Sequence, residues 1–199
     1  MTGVRRCGIV RIWQYAARRG WTLALRVREV GSVLGSGAPV HANSADSHAS
    51  WGGTTALAVD DGGNLYIADS GNRRIRMVSP SGVINTVVDA TADLAGTFTS
   101  SGLNSLITGL AVDHLGNIFF EELSPSFRRV RRASPDGVVT TIAGKGAAGY
   151  SGDGGSAVQA QINPSAEEIG NTLALDASGK LYVVDGGNNA VRVLRRVGQ

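Results

Sequence analysis

Three stretches of this chain are copies of one another. Residues 56–69 read ALAVDDGGNLYIAD, residues 109–122 read GLAVDHLGNIFFEE, and residues 172–185 read TLALDASGKLYVVD. The aligned aspartates are Asp60, Asp113 and Asp176, 53 and 63 residues apart, and each stands four residues before Asn64, Asn117 or Lys180. The downstream halves return too, as NRRIRMVSPSG at 72–82, FRRVRRASPDG at 127–137 and NNAVRVLRRVG at 188–198. Periods of this size identify a repeat architecture. In such an architecture each unit contacts mainly its neighbours and buries its apolar face by stacking.

The hydrophobic signal inside each unit is short and β-like. LAVD and LYIAD are brief apolar runs, and RIRMV alternates as a half-buried strand does. Between them, DDGGN and DSGN are turn chemistry, because Asp and Asn satisfy local backbone groups and Gly supplies positive φ. SPSG and SPDG suit a tight turn, and VINTVV and VVTTIAG supply a fourth strand. Four short antiparallel strands per unit predict an all-β chain of propeller blades. No amphipathic helix is expected in 50–199 beyond a single turn at 157–162.

Composition agrees with many turns between short strands. There are 28 glycines, about twice the usual share of roughly 7%. A single cysteine, Cys7, excludes an intramolecular disulfide and a Cys-based zinc site. No run of 18 apolar residues predicts a membrane span. Charge is unevenly placed: seven arginines and no acid lie in 1–28, leaving 12 basic and 16 acidic residues in the remainder. The basic balance therefore belongs to an N-terminal leader, residues 1–21, and not to the body. Arginines interrupt every apolar stretch there, so no clear signal peptide is expected.

The units resemble NHL repeats, a six-bladed β-propeller family. LAVDxxGNLYIADSGNxRIRxVSPxG in the first copy carries the resemblance. So does VTTIAGKGAAGYSGDGGSAVQAQINPS between the second and third copies, which is similar to the bacterial and teneurin-type subgroup. The resemblance covers 54–199 and places copies near 54–90, 107–144 and 170–199 within a propeller region spanning 22–199. It is faint over 22–37, where VREVGSVLGSGAP is read as a fourth-strand remnant. The middle copy has EELSPSF in place of DSGN, a turn two residues longer that lacks the aspartate. The third copy lacks the SPxG turn and a fourth strand. About three blades are too few for a closed ring, which predicts an incomplete or open propeller. A fragment of a longer protein is the leading reading, ahead of a homodimer with six blades and of closure by the chain's own N-terminal strands.

The candidate sites divide into repeated and unrepeated residues. Asp60, Asn64, Asp69, Asn72, Asp113, Asn117, Asp176, Asp185 and Asn188 recur with the unit, and a recurring residue serves the repeat before it serves one reaction centre. GKGAAG at 144–149 matches a dinucleotide fingerprint, but YSGDGG follows it where a helix would have to begin. It reads as a Gly-rich loop between blades. The resemblance puts this hairpin on one face of the propeller, where Tyr150 and Asp153 can touch a partner. Arg73, Arg74, Arg128 and Arg129 are further binding candidates, since arginine reads phosphate or carboxylate bidentately. His41, His48 and His114 are scattered. No catalytic set, metal ligands or cofactor is expected.

The expected function is a non-catalytic binding scaffold with protein or carbohydrate partners. The alternative is a metal-assisted lyase or hydrolase of the propeller class, and a second alternative is RNA binding through a basic face. The resemblance leans towards an extracytoplasmic protein, and the residues leave the compartment open.

Overall fold

Period-two alternation and closely spaced turns produce antiparallel meanders, and the described residues form three of them. The structure, a computed structural model, describes residues 54–89, 106–124, 126–164 and 171–195. The basic leader at 1–21 and the strand-like stretch at 22–37 lie outside the described residues. The first sheet contains β1 (Thr54–Val59), β2 (Leu65–Asp69), β3 (Arg74–Val78) and β4 (Ile84–Asp89), paired in chain order. The second contains β5 (Leu106–Val112), β6 (Ile118–Leu123), β7 (Arg128–Ala133) and β8 (Val139–Gly146), again in chain order. The third contains β9 (Leu173–Leu175), β10 (Leu181–Asp185) and β11 (Ala190–Leu194). A 3-10 turn at Ala157–Gln159 lies between the second and third sheets.

Turn chemistry sets the register. Asp60 accepts hydrogen bonds from Asn64 N and Nδ2, each at 2.8 Å, and Asp113 accepts the same pair from Asn117 at 2.8 Å. In the third copy Lys180 donates its backbone N–H to Asp176 at 3.0 Å and sets its ammonium 4.0 Å from the same carboxylate, and Ser178 adds two further bonds. The DSGN turn is a 3-10 turn at Ser70–Asn72, repeated at Gly186–Asn188, and both close on a left-handed residue, Arg73 (φ 55°) and Asn189 (φ 52°).

Strand alternation sends successive side chains to opposite faces of each sheet. One face of the first sheet (Tyr66, Ala68, Ile75, Val88) packs on Ile107, Leu110, Ile118 and Phe120 of the second. The opposite face of the second sheet (Ala111, Phe119, Val130, Ala143) packs on Leu173, Leu181 and Val183 of the third. Full burial of a side chain such as Ile75, Leu110 or Val130 contributes about 1.5–3 kcal/mol. The first strands β1, β5 and β9 are successive neighbours, so the sheets fan out from their first strands. Three meanders stacked in this way are an incomplete β-propeller.

Gly144 holds the second sheet's outer strand in place. It has φ +89° and sits where the β7–β8 register shifts, and a Cβ there would collide with the Arg128 carbonyl and lie 2.9 Å from Arg129 Cα. Gly137 has nearly the same φ, +87°, with open space around it. Gly144→Ala should therefore destabilise the fold by about 3 kcal/mol, strain and collision together, and Gly137→Ala by about 1 kcal/mol from φ alone. Urea unfolding of the two variants tests this, and equal losses would contradict it.

Candidate functional site

Each sheet carries a buried carboxylate at the end of its second strand and an arginine in its third, buried in the first two sheets and half-buried in the third. In the first sheet Asp69 and Arg76 are both fully buried and stand 3.8 Å apart, with Asn72 Nδ2 donating to Asp69 at 2.9 Å. In the third sheet Asp185 pairs with Arg192 at 3.1 Å, and Asn188 Nδ2 donates to Asp185 at 2.9 Å. The longer turn of the middle copy was expected to lose this carboxylate. Instead, Glu122 occupies the position, bonded by Arg129 Nε at 2.6 Å and facing Arg131 at 3.7 Å. Its extra methylene lets it reach strand arginines in a turn where Phe127 has replaced the asparagine.

Arg192 also reaches out of its own sheet. It donates to the carbonyls of Ser151 (2.9 Å) and Gln161 (3.4 Å), pairs with Asp153 at 2.7 Å, and lies 4.9 Å from the Tyr150 ring centre. It thereby pins the hairpin that follows β8. That hairpin is closed by a bridge between Ser151 and Gln161 and joined to the third sheet by Asn188 Nδ2 to Gly149 O (2.9 Å) and Asn163 N to Asp185 Oδ1 (2.6 Å). Beside β11 it encloses a cleft of about 250 Å³ lined by Val130, Ile162, Val183, Tyr150, Asp153 and Arg192. Tyr150 stays 57% exposed, so its ring is presented to solvent by a braced support. A hydrogen bond to Asp153, followed by that carboxylate's charge, raises the Tyr150 phenol.

The sequence-predicted arginines are distributed differently. Arg74 is buried and paired with Asp89 at 2.9 Å, and Arg129 is committed to Glu122 with its guanidinium 4.2 Å from the Phe127 ring centre. Arg128 is half-buried and donates to the carbonyls of Ser124 and Phe127. Arg73 is half-buried in its left-handed turn. Of the six binding candidates, the structure brings together Tyr150 and Asp153. Arg192 completes that site and was missed as a binding candidate, although its place in the third copy's alternating strand was readable.

A second missed group is Glu121 with Thr108 and Thr172. Glu121 is fully buried, and its Oε2 accepts from Thr108 Oγ1 at 2.6 Å and from Thr172 Oγ1 of the third sheet. The equivalent positions elsewhere are Ala68 and Val184, so the signal was the break in the repeat. Among the described residues there is no cluster of three or more His, Cys, Asp or Glu able to hold a metal, and no helix is long and apolar enough to cross a membrane.

Comparison with known proteins yields no matching family model and no matching curated protein. Among solved structures, the chain is similar to a streptogramin B lyase (14% identity, TM-score 0.48, covering 74% of this chain and 39% of that one). It is also similar to virginiamycin B lyase from Staphylococcus aureus (13%, TM-score 0.42, 74% and 43%). A putative gluconolactonase is a third such structure (20%, TM-score 0.45, 73% and 47%). The chain spans less than half the length of each of the three.

Two predictions follow from the side-chain networks. Arg192→Met leaves the buried Asp185 carboxylate without its cation and should cost about 3–5 kcal/mol, whereas Asp185→Asn with Arg192→Met should cost less. Urea denaturation of the single and double variants measures this, and a double variant worse than the single would contradict it. The second concerns Tyr66, whose hydroxyl donates to Asp60 at 3.1 Å. Burial, then the Asp60 charge, pushes its pKa from 10.0 up to about 12. The folded state holds this proton longer than the unfolded chain does. The resulting stability is complete below pH 10 and is lost as pH rises towards 12. Tyr66→Phe should flatten the alkaline decline seen in thermal melts, and an unchanged decline would count against this assignment.

Proposed function

We propose that the chain is a non-catalytic binding module on an NHL-type propeller, taking an extended protein segment in the cleft beside β11. The observation that supports this most is the braced hairpin: Arg192 fixes Tyr150 and Asp153 from below while the tyrosine ring stays open to solvent. A rigid aromatic group gives a large contact area at low entropic cost. Beside it, β11 pairs only with β10 among the described residues. A strand whose outer N–H and C=O groups are available can receive an extended peptide by strand addition. A carbohydrate stacking on Tyr150 is the other partner class of this reading.

RNA binding draws little support, because Arg74, Arg76 and Arg131 are buried against carboxylates and Arg129 is paired with Glu122. The remaining alternative is a metal-assisted lyase or hydrolase of the propeller class.

Peptide and glycan arrays probed with the whole chain test the proposal. Tyr150→Ala and Asp153→Ala should each weaken the selected interaction about tenfold, roughly 1.4 kcal/mol, with an unchanged far-UV circular dichroism spectrum. Peptide binding indifferent to both substitutions would sink the assignment. Calorimetric titration with calcium and zinc addresses the enzyme alternative, since stoichiometric binding in the micromolar range would favour it.

A further inference from the structure

We infer that the segment taken beside β11 is a strand built like this chain's own fourth strands: it runs antiparallel to β11 and reads Val or Ile, Asn or Thr, Thr, Val or Ile, then Val or Ala. The inference rests on the peptide-binding reading above and names the chemistry of its ligand.

The repeat supplies two templates. β3, β7 and β11 are equivalent third strands, with Ile75, Val130 and Val191 at one position and Arg76, Arg131 and Arg192 at the next. In the first two sheets a fourth strand covers the far edge of the third, antiparallel to it. Ile84 stands opposite Val78, and Val139 opposite the equivalent Ala133. Asn85 and Thr140 then face Met77 and Arg132, and Thr86 and Thr141 face Arg76 and Arg131. Val88 and Ala143 face Ile75 and Val130. Both fourth strands carry an extra residue, Val87 or Ile142, where the register shifts beside the arginine. INTVV and VTTIA share only the threonine, yet they keep the same residue classes and the same bulge. The edge of a third strand therefore prescribes what lies along it, and β11 is the third strand whose edge is open among the described residues.

Alternation gives the two sides of the incoming strand different surroundings. The residue opposite Leu194 shares that leucine's face. Leu194 is half-buried against the core between the second and third sheets, and Val130 and Ile162 line the adjoining cleft. A β-branched residue there extends this core, as Ile84 does beside Val78 and Ile67. The residue opposite Val191 covers a valine that is 64% exposed, where the covered equivalents Ile75 and Val130 are 0% exposed. The position opposite Arg192 takes threonine, and neither template has a charge at any of the five positions. Arg192 already pairs with Asp185 and Asp153, so it offers no vacancy for a carboxylate, and like charges set directly opposite repel. Main-chain hydrogen bonds along β11 give the affinity, and these alternate side chains give the selectivity.

Two synthetic probes cut from the repeat test this against the whole chain: GVVTTIAGKG (137–146) and GVINTVVD (82–89), labelled with fluorescein and followed by anisotropy. Both should bind saturably, and scrambled peptides of the same composition should not. Thr141→Lys in the first peptide should weaken binding about fivefold through repulsion from Arg192. Val139→Asp should weaken it about tenfold by placing a charge against Leu194. Amide spectra of the labelled chain give the direction. A nitroxide on the peptide's N-terminus should broaden Leu194 more than Ala190, and one on its C-terminus the reverse. Scrambled peptides that bind equally well, or the opposite gradient, overturn the inference. Array peptides that need Tyr150 and Asp153 but lack this pattern would also overturn it while leaving the binding reading in place, whereas an array with no binder removes both. Probe binding that appears only in Val30→Pro would assign the edge to the chain's own VGSVL (30–34) and likewise overturn the inference.

Discussion

A buried carboxylate facing an arginine recurs in all three sheets, and the geometry of each blade depends on it. Two ions taken out of water cost several kcal/mol each, a cost offset only by close pairing and further hydrogen bonds. The net contribution of such a pair to stability is therefore small. Its effect lies in the asymmetry, because either partner alone is strongly destabilising. Asp69 needs Arg76, Asp185 needs Arg192, and each need fixes the end of a second strand against the middle of a third. The turn between them is then confined to the few conformations that also let Asn72 or Asn188 donate to the same carboxylate. Apolar burial holds the sheets together without direction, and this pair supplies the direction.

The middle sheet satisfies the same constraint with other residues. A longer turn places Phe127 where the neighbours have asparagine, and Glu122 spans the difference to Arg129 and Arg131. Its neighbour Glu121 enters a position that is alanine or valine in the other copies. It is tolerated there because two threonine hydroxyls, one from the adjoining sheet, donate to it. The exceptions to the repeat thus tie one blade to the next, a task that identical units packed only through apolar faces do less specifically.

Much of this was legible in the sequence. The aspartate–asparagine turns, the alternating third strands and the missing fourth strand of the last copy follow from local rules acting over a few residues. They appear at Asp60–Asn64, at Ala190–Leu194 and, among the described residues, in the three-stranded final sheet, whereas Arg74–Val78, expected to be half-buried, is buried on both faces. What was not legible depends on contacts across the fold. Arg74 and Arg129 look like surface cations because their partners, Asp89 and Glu122, lie 15 and 7 residues away in strands whose register is fixed only by folding. Arg192 looks like one more member of a basic run. Its reach to Ser151 spans 41 residues and crosses from one sheet to a hairpin that belongs to another. The substitution of Glu122 for aspartate escaped for a different reason: an inserted turn breaks the alignment just where the carboxylate is conserved in role but not in length.

The same contrast separates support from presentation. The recurring Asp69, Glu122 and Asp185 are buried and face arginines of their own sheets, and Asp60, Asp113 and Asp176 bond their own turns. Tyr150 has no counterpart in the other copies' described residues, and it is the aromatic ring left open at the cleft. The arginine beneath it does both jobs. Through Asp185, Arg192 completes the structural pair of its own sheet, and through Ser151, Asp153 and the tyrosine ring it holds the hairpin. A perturbation at the cleft is therefore transmitted to a buried ion pair, and one at the pair to the cleft. Coupling of this kind requires no moving part. It follows from asking one guanidinium, with five N–H donors in a fixed plane, to satisfy two sets of acceptors at once.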